Sequence, residues 1–453
     1  MSKQGRQLHL NTNILNSGKH DCGWRVQEDP LAFLDVAYYQ QCAKIAERGT
    51  LDALFLADGL SSGSYVAERP WNSLEPTVLL AAIGAVTERI GLIATASSSF
   101  NDPYNLARRF ASLDHISGGR VGWNIVTTHD AATAANFGAD SHADHDERYG
   151  RAEELVQVAI ELWDSWEDGA VIADKQSGVF TDLDRVHAIE HRGERFAVRG
   201  PLNVPRSPQG RPVLIQAGSS PQGRDLAARY AEAIFTVQNT FEEAQAFYAE
   251  MKQRAARFGR NPEDVLILPG LLPIVGSTEE EAKARKAHLD SFLDLDLELE
   301  RFAARFRLDQ SKLALDAPLP DAVVASVPDP EAFSVGFQEG MRNLAKRERL
   351  TVRELILSNG GGHRQVVGAP EQIADTIEHW FSNRAADGFN LSGDVFPSGL
   401  EAFVDHVIPL LRARGIFRHE YEGSTLREHF GLPRPATAHA SAAPTAGLAA
   451  AAN

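Results

Sequence analysis

Eight short apolar segments alternate with amphipathic helical patterns along most of this chain. The candidate strands are residues 8–15, 53–58, 90–97, 120–127, 212–218, 233–239, 265–276 and 388–393. The patterns between them, such as those at 33–49 and 74–90, are typical of helices that cover a sheet. Strands that alternate with helices favour a parallel sheet, and eight of them favour an α/β fold of the closed (β/α)8 TIM-barrel type.

An open, doubly wound sheet is the alternative arrangement for the same alternation. No candidate strand is followed by GxGxxG or GxxxxGK[ST], the phosphate turns that are usual in such sheets. We therefore predict a single barrel domain over residues 1–433. Residues 434–453 are predicted to be a disordered tail, because the end of the chain is low in complexity and rich in alanine.

The spacing between the candidate strands is uneven at two places. Strand four ends near Thr127 and strand five begins at Pro212, whereas strand seven ends near Gly276 and strand eight begins at Gly388. Connections of this length are usually functional or structured insertions. We predict insertions at about 128–211 and 277–365, and we interpret the second as a lid or substrate-facing region.

Charge and cysteine content bear on the partners and location of the protein. The formal net charge is −16, from 45 basic and 61 acidic side chains, which argues against binding to nucleic acid or to an anionic membrane. No signal-peptide core and no apolar run near the ~20 residues of a membrane helix is evident. Cys22 and Cys42 form neither a disulfide framework nor a CxxC pair, so we expect a cytoplasmic protein.

Polar residues follow the candidate strands at their carboxyl ends, where a barrel of this type places its active site. They are mostly neutral hydrogen-bonding groups with one carboxylate, and they include Asn11, Asn13, Asp58, Thr95 and Asn124. Neither the paired acids of a glycosidase nor a metal-binding cluster is present among them, so no metal site is predicted. Such a set is suited to hold a flat polar molecule that itself carries the chemistry.

The segment QAGSSPQGRDLAARYAE, residues 216–232, has the pattern of a strand, a turn and a helix. Ser220 is the predicted N-cap and Pro221 the first helical residue. Unpaired N–H groups, the Ser219 and Ser220 hydroxyls and the helix dipole would together bind a phosphate. An ordinary capped helix is the alternative interpretation of this segment.

The segment DHDERYGRAEE, residues 144–154, has the pattern of a helix start. It places His145 and Tyr149 four residues apart and therefore on one helix face. That face is a candidate ligand contact, and a solvated helix entry is the alternative interpretation.

Long stretches of the chain resemble one known family. These stretches are NTNILNSGKHDCGWR, ERGTLDALFLADG, LEPTVLLAAIGAVTERIGLIATASSSFNDPYNLARRFASLDHISGGRVGWNIVTT, NFGADSHADHDERYGRAEE, RGPLNVPRSPQGRPVLIQAGSS and FRHEYEGSTLREHFGL. They are similar to the nitrilotriacetate monooxygenase and dibenzothiophene-sulfone monooxygenase group of the bacterial-luciferase-like flavin monooxygenases. The resemblance covers residues 5 to about 433 and is weakest over 290–365.

This resemblance implies the oxygenase component of a two-component system built on a (β/α)8 barrel. A separate NAD(P)H:flavin reductase, as a transient partner, would supply FMN as FMNH2. With O2 the reduced FMN would form a C4a-hydroperoxide that oxygenates a small organic substrate, such as an aminopolycarboxylate, a sulfone or a sulfide. The resemblance also implies a homodimer or a homotetramer.

The same resemblance implies which residues contact the cofactor. The FMN-contacting positions correspond to Asp58, Thr95, His145, Tyr149, Ser219 and Ser220. Of these, Tyr149, Ser219 and Ser220 fall on the phosphate. Asn124 is a further predicted contact to the flavin ring, since it alternates along its strand with apolar neighbours.

Other side chains are candidates for the substrate side of the site. His20 is the candidate catalytic acid or base, and Trp71, Phe100 and Trp123 are candidates for apolar walls. A lid over such a site would exclude the water that makes a reactive flavin decay to hydrogen peroxide.

Three other functions share part of this pattern. A coenzyme-F420-dependent or flavin-dependent oxidoreductase of the same barrel would transfer hydride, and oxygen uptake separates it from a monooxygenase. A non-catalytic flavin-binding protein is disfavoured by the full set of cofactor positions. A metal-dependent barrel hydrolase is disfavoured because the strand ends carry no cluster of metal ligands.

Overall fold

Parallel strands close into a barrel in the computed structural model of the protein, which describes residues 6–70, 74–128, 130–139, 141, 143–327, 335–358 and 362–437. The strands are β1 His9–Asn13, β2 Ala53–Leu56, β3 Gly91–Ser97, β4 Val121–Val126, β5 His191–Arg192, β6 Ala197–Val198, β7 Val213–Gln216, β8 Ala233–Thr236, β9 Leu266–Val275, β10 Arg364–Gly368 and β11 Gly388–Leu391. The barrel order is β1–β2–β3–β4–β7–β8–β9–β11, and β11 pairs with β1 to close it.

Helices cover the outside of the barrel and build its long connections. They are α1 Val36–Arg48, α2 Pro76–Gly84, α3 Pro103–Ile116, α4 Ala131–Asn136, α5 His145–Trp163, α6 Pro221–Tyr230, α7 Phe241–Arg257, α8 Glu279–Asp290, α9 Leu295–Arg305, α10 Asp321–Val324, α11 Val335–Glu348, α12 Val352–Leu357, α13 Pro370–Ser382, α14 Ser398–Ala402, α15 Ile408–Ala413 and α16 Leu426–His429. No helix in the described ranges is long and apolar enough to cross a membrane.

All eight predicted strands are present, so the closed barrel is confirmed and the open-sheet alternative is wrong. The short hairpin of β5 and β6 and one further strand of the barrel sheet, β10, were not predicted; β10 lies within and just beyond the second predicted insertion. It pairs in parallel with the outer half of β9, from Arg364 opposite Leu271 to Gly368 opposite Val275. This edge of β9 is available because β8 pairs with β9 only as far as Pro269.

Apolar side chains fill the amino-terminal end of the barrel. Phe55, Ile93, Ile215 and Leu268 form one buried cluster there, each from a different strand. Leu426 at the start of α16 joins the same cluster and covers that end. The opposite end, where the strands finish, is therefore the end at which polar side chains can meet a ligand.

The connection between β9 and β10 forms a small core of its own. Phe302 and Phe306 pack with Met341 and Leu344 of α11 and with Leu355 of α12. Helix α8, which precedes this core, packs directly on β9 and β10. The other long connection, between β4 and β7, contains α4, α5 and the antiparallel hairpin of β5 and β6.

Candidate active site

The turn between β7 and α6 has the capped geometry that the sequence predicts. Ser220 is the N-cap with φ −65° and ψ 160°, and its hydroxyl accepts a hydrogen bond of 3.1 Å from the Gly223 backbone N–H. Pro221 is the first helical residue. At the strand end, the Gln216 side-chain carbonyl accepts a bond of 2.6 Å from the Gly218 N–H, which fixes the turn.

Tyr149 of α5 lies over this turn. Its hydroxyl accepts a hydrogen bond of 3.3 Å from the Ser220 hydroxyl. A Cβ atom added at Gly218 would lie 3.1 Å from the Tyr149 oxygen, and one added at Gly223 would lie 2.9 Å from it. Both positions therefore need glycine for the tyrosine hydroxyl to approach the backbone this closely. The His145 ring lies against the Tyr149 ring, with centroids 4.7 Å apart.

The same turn presents donors that are suited to an anion. Within the described part of the chain, the backbone N–H groups of Ser219 and Ser220 donate to no partner. Both residues lie at the amino end of α6, where the helix dipole is positive. The Ser219 hydroxyl accepts a hydrogen bond of 3.1 Å from the Gly336 N–H of α11, which ties the β9–β10 connection to the turn.

Thr95 and Asn124 form a second polar pair deeper in the barrel. They lie opposite each other on β3 and β4, and the Asn124 amide donates to the Thr95 hydroxyl over 2.9 Å. Both side chains are buried, and the Asn124 carbonyl oxygen accepts no hydrogen bond from any described residue. A buried acceptor without a donor costs about 1–3 kcal/mol, so this oxygen indicates a place for a ligand N–H or O–H group.

Asn11 of β1 repeats this arrangement on the other side of the barrel. Its amide donates to the Asn390 carbonyl oxygen of β11 over 2.9 Å, and its own carbonyl oxygen has no partner among the described residues. Asn13, two residues further along β1, likewise has a buried carbonyl oxygen without a described partner. Asn390 was not predicted as a site residue, because it lies within its strand and not at the end.

A cavity of about 480 Å³ opens at this end of the barrel. Its lining comes from the ends of β1, β7 and β8 and from α7, α11 and the start of β10, and it includes Asn13, Lys19, Ser219, Phe235, Phe337 and His363. Among the residues that the structure describes, no group of three or more His, Cys, Asp or Glu side chains is placed to hold a metal ion.

Lys19 and His363 are ionisable groups of this cavity that the sequence analysis did not single out. Burial, with the nearby Arg305 and Arg69, lowers the pKa of Lys19 to about 8. Burial, with the nearby Lys19, lowers the pKa of His363 to about 3, so this imidazole is neutral at physiological pH. The His363 ring stacks on Phe235 with centroids 4.8 Å apart.

Of Lys19 and His363, only Lys19 could have been found from the sequence. Lys19 lies in the segment NSGKHDC, directly beside the predicted His20, so its sequence position is a signal for it. His363 lies at the end of the predicted insertion and before a strand that was not predicted. Its packing against Gly270, where any Cβ would overlap the imidazole, is a tertiary contact without a local signal.

Of the predicted site residues, Ser219 lines this cavity, and its lining does not include Asp58, Thr95, Asn124, His145, Tyr149, Ser220 or His20. Asp58 is exposed at the end of β2, and partial desolvation with the nearby Glu75 raises the pKa of its carboxyl group. His20 has both ring nitrogens engaged: Nδ1 accepts from the Cys22 N–H at 3.1 Å, and Nε2 is 3.2 Å from the Asp290 carboxylate of α8. This geometry gives no support to an acid–base role for His20.

The prediction of apolar walls is wrong for Trp123. Its indole donates to the Ala96 carbonyl, and its ring packs against Phe110 of α3 and Trp163 of α5. Successive residues of a strand point to opposite faces, so Trp123 faces the helices because Asn124 faces the interior. Phe100 stacks on Phe137 with centroids 4.5 Å apart, and Trp71 lies outside the described residues.

Comparison with known proteins assigns the chain to a family. The family model described as luciferase-like monooxygenase matches residues 19–387. The chain belongs to this family. The resemblance that the sequence motifs indicated is thus confirmed, and the protein is a monooxygenase.

Relatives match this luciferase-like monooxygenase over nearly its whole length. The N-acetyl-S-(2-succino)cysteine monooxygenase of Bacillus subtilis (strain 168) is 45% identical over 446 residues, covering 97% of this chain and 100% of that protein. Nitrilotriacetate monooxygenase component A of Aminobacter aminovorans is 45% identical over 447 residues, covering 95% and 97%. The solved structure of EDTA monooxygenase from Chelativorans sp. BNC1 has a TM-score of 0.80 at 38% identity, covering 95% of this chain and 99% of that chain.

Proposed function

We propose that this luciferase-like monooxygenase is the oxygenase component of a two-component system that uses FMNH2 and O2. A separate NAD(P)H:flavin reductase supplies the reduced flavin by diffusion, and a small organic compound is the substrate. Reduced FMN, when bound, provides the chemistry that activates O2, so the protein must bind, orient and shield it. One observation carries the proposal: Tyr149 and Ser220, from two distant parts of the chain, meet over a glycine turn that fits a phosphate.

The proposed phosphate contacts follow from the donors of this turn. The hydroxyls of Tyr149, Ser219 and Ser220 and the unpaired backbone N–H groups would bind the phosphate oxygens, and α6 adds the positive end of its dipole. The turn is suited to an anion because its hydroxyl and backbone N–H groups are donors. His145 would pack at the edge of the same site.

The proposed contacts to the flavin ring come from the buried amides. The carbonyl oxygens of Asn11 and Asn124 lack donors among the described residues, and the reduced flavin ring carries N–H groups that could supply them. Thr95 holds the Asn124 amide in position by accepting its hydrogen bond. Asp58 would contact the cofactor from the rim of the barrel, where it is exposed.

The proposed lid is the connection predicted at 277–365. Its helix α11 supplies Gly336, Phe337, Gly340 and Asn343 to the cavity lining, and Gly336 bonds to Ser219 of the turn. Coverage by this segment would keep water from the reactive flavin. We further propose one barrel domain over 1–433, with this lid and the insertion at 128–211, and a disordered tail at 434–453.

The names of the relatives support a separate partner and a small acidic substrate. Aminobacter nitrilotriacetate monooxygenase is described as component A, which is consistent with a second component that reduces the flavin. We propose the same division of labour here, in a cytoplasmic homodimer or homotetramer.

Reconstitution with a foreign reductase tests this proposal. The purified protein should consume no oxygen with NADH and FMN alone, because in this proposal the oxygenase does not itself accept electrons from NADH. Addition of an unrelated flavin reductase should give product from a substrate panel that includes N-acetyl-S-(2-succino)cysteine and nitrilotriacetate. Turnover with NADH and no reductase, or no product with a reductase and the panel, would refute the two-component proposal.

A further inference from the structure

Lys19 is a cationic side chain of the cavity that has no anionic partner among the described residues. It follows β1, and its backbone N–H donates to the Gly393 carbonyl over 2.8 Å, which fixes it between the ends of β1 and β11. Its side chain lines the cavity together with His363 and Phe337. Within the described ranges, its ammonium group makes no ion pair and no hydrogen bond.

The charges that act on Lys19 from neighbouring segments are positive. Arg69, in the loop after β2, and Arg305, at the end of α9, both disfavour the charged form of Lys19. Arg69 forms an ion pair with Asp21. The carboxylate of Glu298 on α9 acts on Arg69 and is already paired with Arg301 over 2.6 Å. His363, on the other side, is neutral.

The acidic side chains of the cavity lining lie on α7 and α11. Glu250 of α7 pairs with Arg224 over 2.7 Å and with Arg254 over 2.6 Å. Glu243, also on α7, has a pKa raised by burial. Glu339 on α11 completes this acidic group. Glu250 is therefore already compensated by two arginines, and none of these three carboxylates is paired with Lys19 among the described residues.

We propose that Lys19 binds a carboxylate group of the substrate and thereby selects organic anions over neutral sulfones, sulfides and alkanes. The proposal rests on the proposed function, since it places the substrate in the same cavity. A partly desolvated ammonium group near two arginines is stabilised by an anion more than a fully exposed one would be. A neutral substrate that displaces water from Lys19 would leave this charge without a partner, which penalises the binding of that substrate.

The proposal has a consequence for pH. Because the pKa of Lys19 is about 8 in the absence of an anion, the fraction of charged Lys19 falls as pH rises through that value. A bound carboxylate favours the charged form and raises this pKa. Affinity for the anion should therefore fall between pH 7 and pH 9, by about tenfold for each unit above 8.

The test is calorimetric titration of the flavin-free, full-length protein with the probe N-acetyl-S-(2-succino)cysteine. At pH 7, Lys19→Met should raise its dissociation constant about 10- to 150-fold, the range for a lost charge-assisted hydrogen bond. Lys19→Arg should retain most of the affinity. The control is Lys283→Met, which removes a lysine from the exposed face of α8 and should change nothing.

Three readouts separate the proposal from its alternatives. The pH dependence of anion binding should disappear in Lys19→Met, and dibenzothiophene sulfone, a neutral probe, should bind the variant as well as it binds the wild type. FMN binding should be the same in both. Loss of FMN affinity in Lys19→Met would assign Lys19 to the flavin and overturn the proposal, as would unchanged anion binding or no binding of the anion to the wild type. Because this titration uses no flavin, it does not depend on whether reconstitution succeeds.

Discussion

The Ser220 hydroxyl donates a hydrogen bond of 3.3 Å to the Tyr149 hydroxyl, and this bond joins the connection after β4 to the turn after β7. The two residues are distant along the chain, yet their hydroxyls meet above Gly218 and Gly223. An internal bond between two donors is readily exchanged for bonds to an anion. This relationship makes the phosphate the part of the cofactor whose binding is most directly testable.

Removal of the Tyr149 hydroxyl should weaken FMN binding without affecting riboflavin. Tyr149→Phe keeps the ring against His145 and loses only the group that faces the turn. Since a hydrogen bond to a charged group contributes about 1.5–3 kcal/mol, the dissociation constants for FMN and FMNH2 should rise roughly 10- to 150-fold. Ser219→Ala should act in the same direction. Flavin fluorescence titrations, performed anaerobically for FMNH2, provide the measurement.

A tyrosine elsewhere provides the matched control for this variant. Tyr230 at the end of α6 has its hydroxyl 3.4 Å from Glu153 and away from the turn. Tyr230→Phe should leave both flavin affinities unchanged. If riboflavin binding falls as much as FMN binding in Tyr149→Phe, the tyrosine is structural and the phosphate assignment fails.

Thr95→Val should weaken the binding of FMN and riboflavin equally. The substitution keeps the shape of the side chain but removes the hydroxyl that accepts from the Asn124 amide. The Asn124 amide then has a buried donor without a partner and is free to turn. We expect this to cost about 1–3 kcal/mol, either in the free energy of flavin binding or in the free energy of unfolding. Flavin titrations and urea unfolding report these two effects separately. A selective loss of FMN binding would contradict the ring assignment.

The barrel strands and the capped turn could be predicted from sequence because their signals are local. Residues 120–127 alternate between the two faces of a strand, so Asn124 could be expected to face the interior. Ser220 followed by Pro221 is a helix start that needs no tertiary information. The family resemblance then linked this turn to Tyr149, which local patterns alone could not do.

The other features depend on contacts between distant segments. β10 is a short strand with partly exposed residues, and it forms because β9 extends beyond β8. The pKa of Lys19 depends on Arg305 from a helix of the lid segment, which no local pattern connects to residue 19. Trp123 packs against α3 and α5, because the alternation that turns Asn124 to the interior turns its neighbour to the helices.

Replacement of Leu295–Leu357 by a short flexible linker should uncouple the reaction. This segment contains α9 to α12, which share a core of their own, whereas α8 and β10 pack on the barrel and are retained. The barrel should stay folded by circular dichroism, and reduced flavin should yield more hydrogen peroxide and less product because water reaches the site. Phe337→Ala should cause a smaller change in the same direction. Unchanged coupling in the shortened protein would exclude a lid.

Acid should destabilise the protein partly through its buried histidines. Burial is the main reason that the pKa of His363 is about 3 and that of His429 about 4, below the ~6.5 of an unfolded histidine. As pH falls below 6.5, the unfolded chain binds protons that the native state does not, which lowers the free energy of unfolding. Each histidine contributes about 1.4 kcal/mol per pH unit down to its native pKa.

A histidine variant isolates this effect from other titrating groups. Between pH 6.5 and pH 4.5, His429→Gln should gain stability relative to the wild type by about 1.4 kcal/mol per unit, as measured by urea unfolding at each pH. Exposed His419→Gln is the control and should show no such gain. Other groups titrate in the opposite direction; burial, for example, raises the pKa of the Asp114 carboxyl group to about 6. Such effects are the same in both proteins and cancel in the difference between variant and wild type. A difference in unfolding free energy between His429→Gln and the wild type that does not change with pH would contradict the low native pKa of His429.

The fate of molecular oxygen tests the central claim most directly. The reconstituted system of oxygenase, foreign reductase, NADH, FMN and an organic substrate should be run under 18O2 in ordinary water, with early products analysed by mass spectrometry. The account predicts that one atom of 18O enters each molecule of product, and that the reverse experiment with H218O and unlabelled O2 introduces none at the same early times. A product that forms by loss of hydrogen without incorporation of 18O would contradict it and would indicate hydride transfer instead.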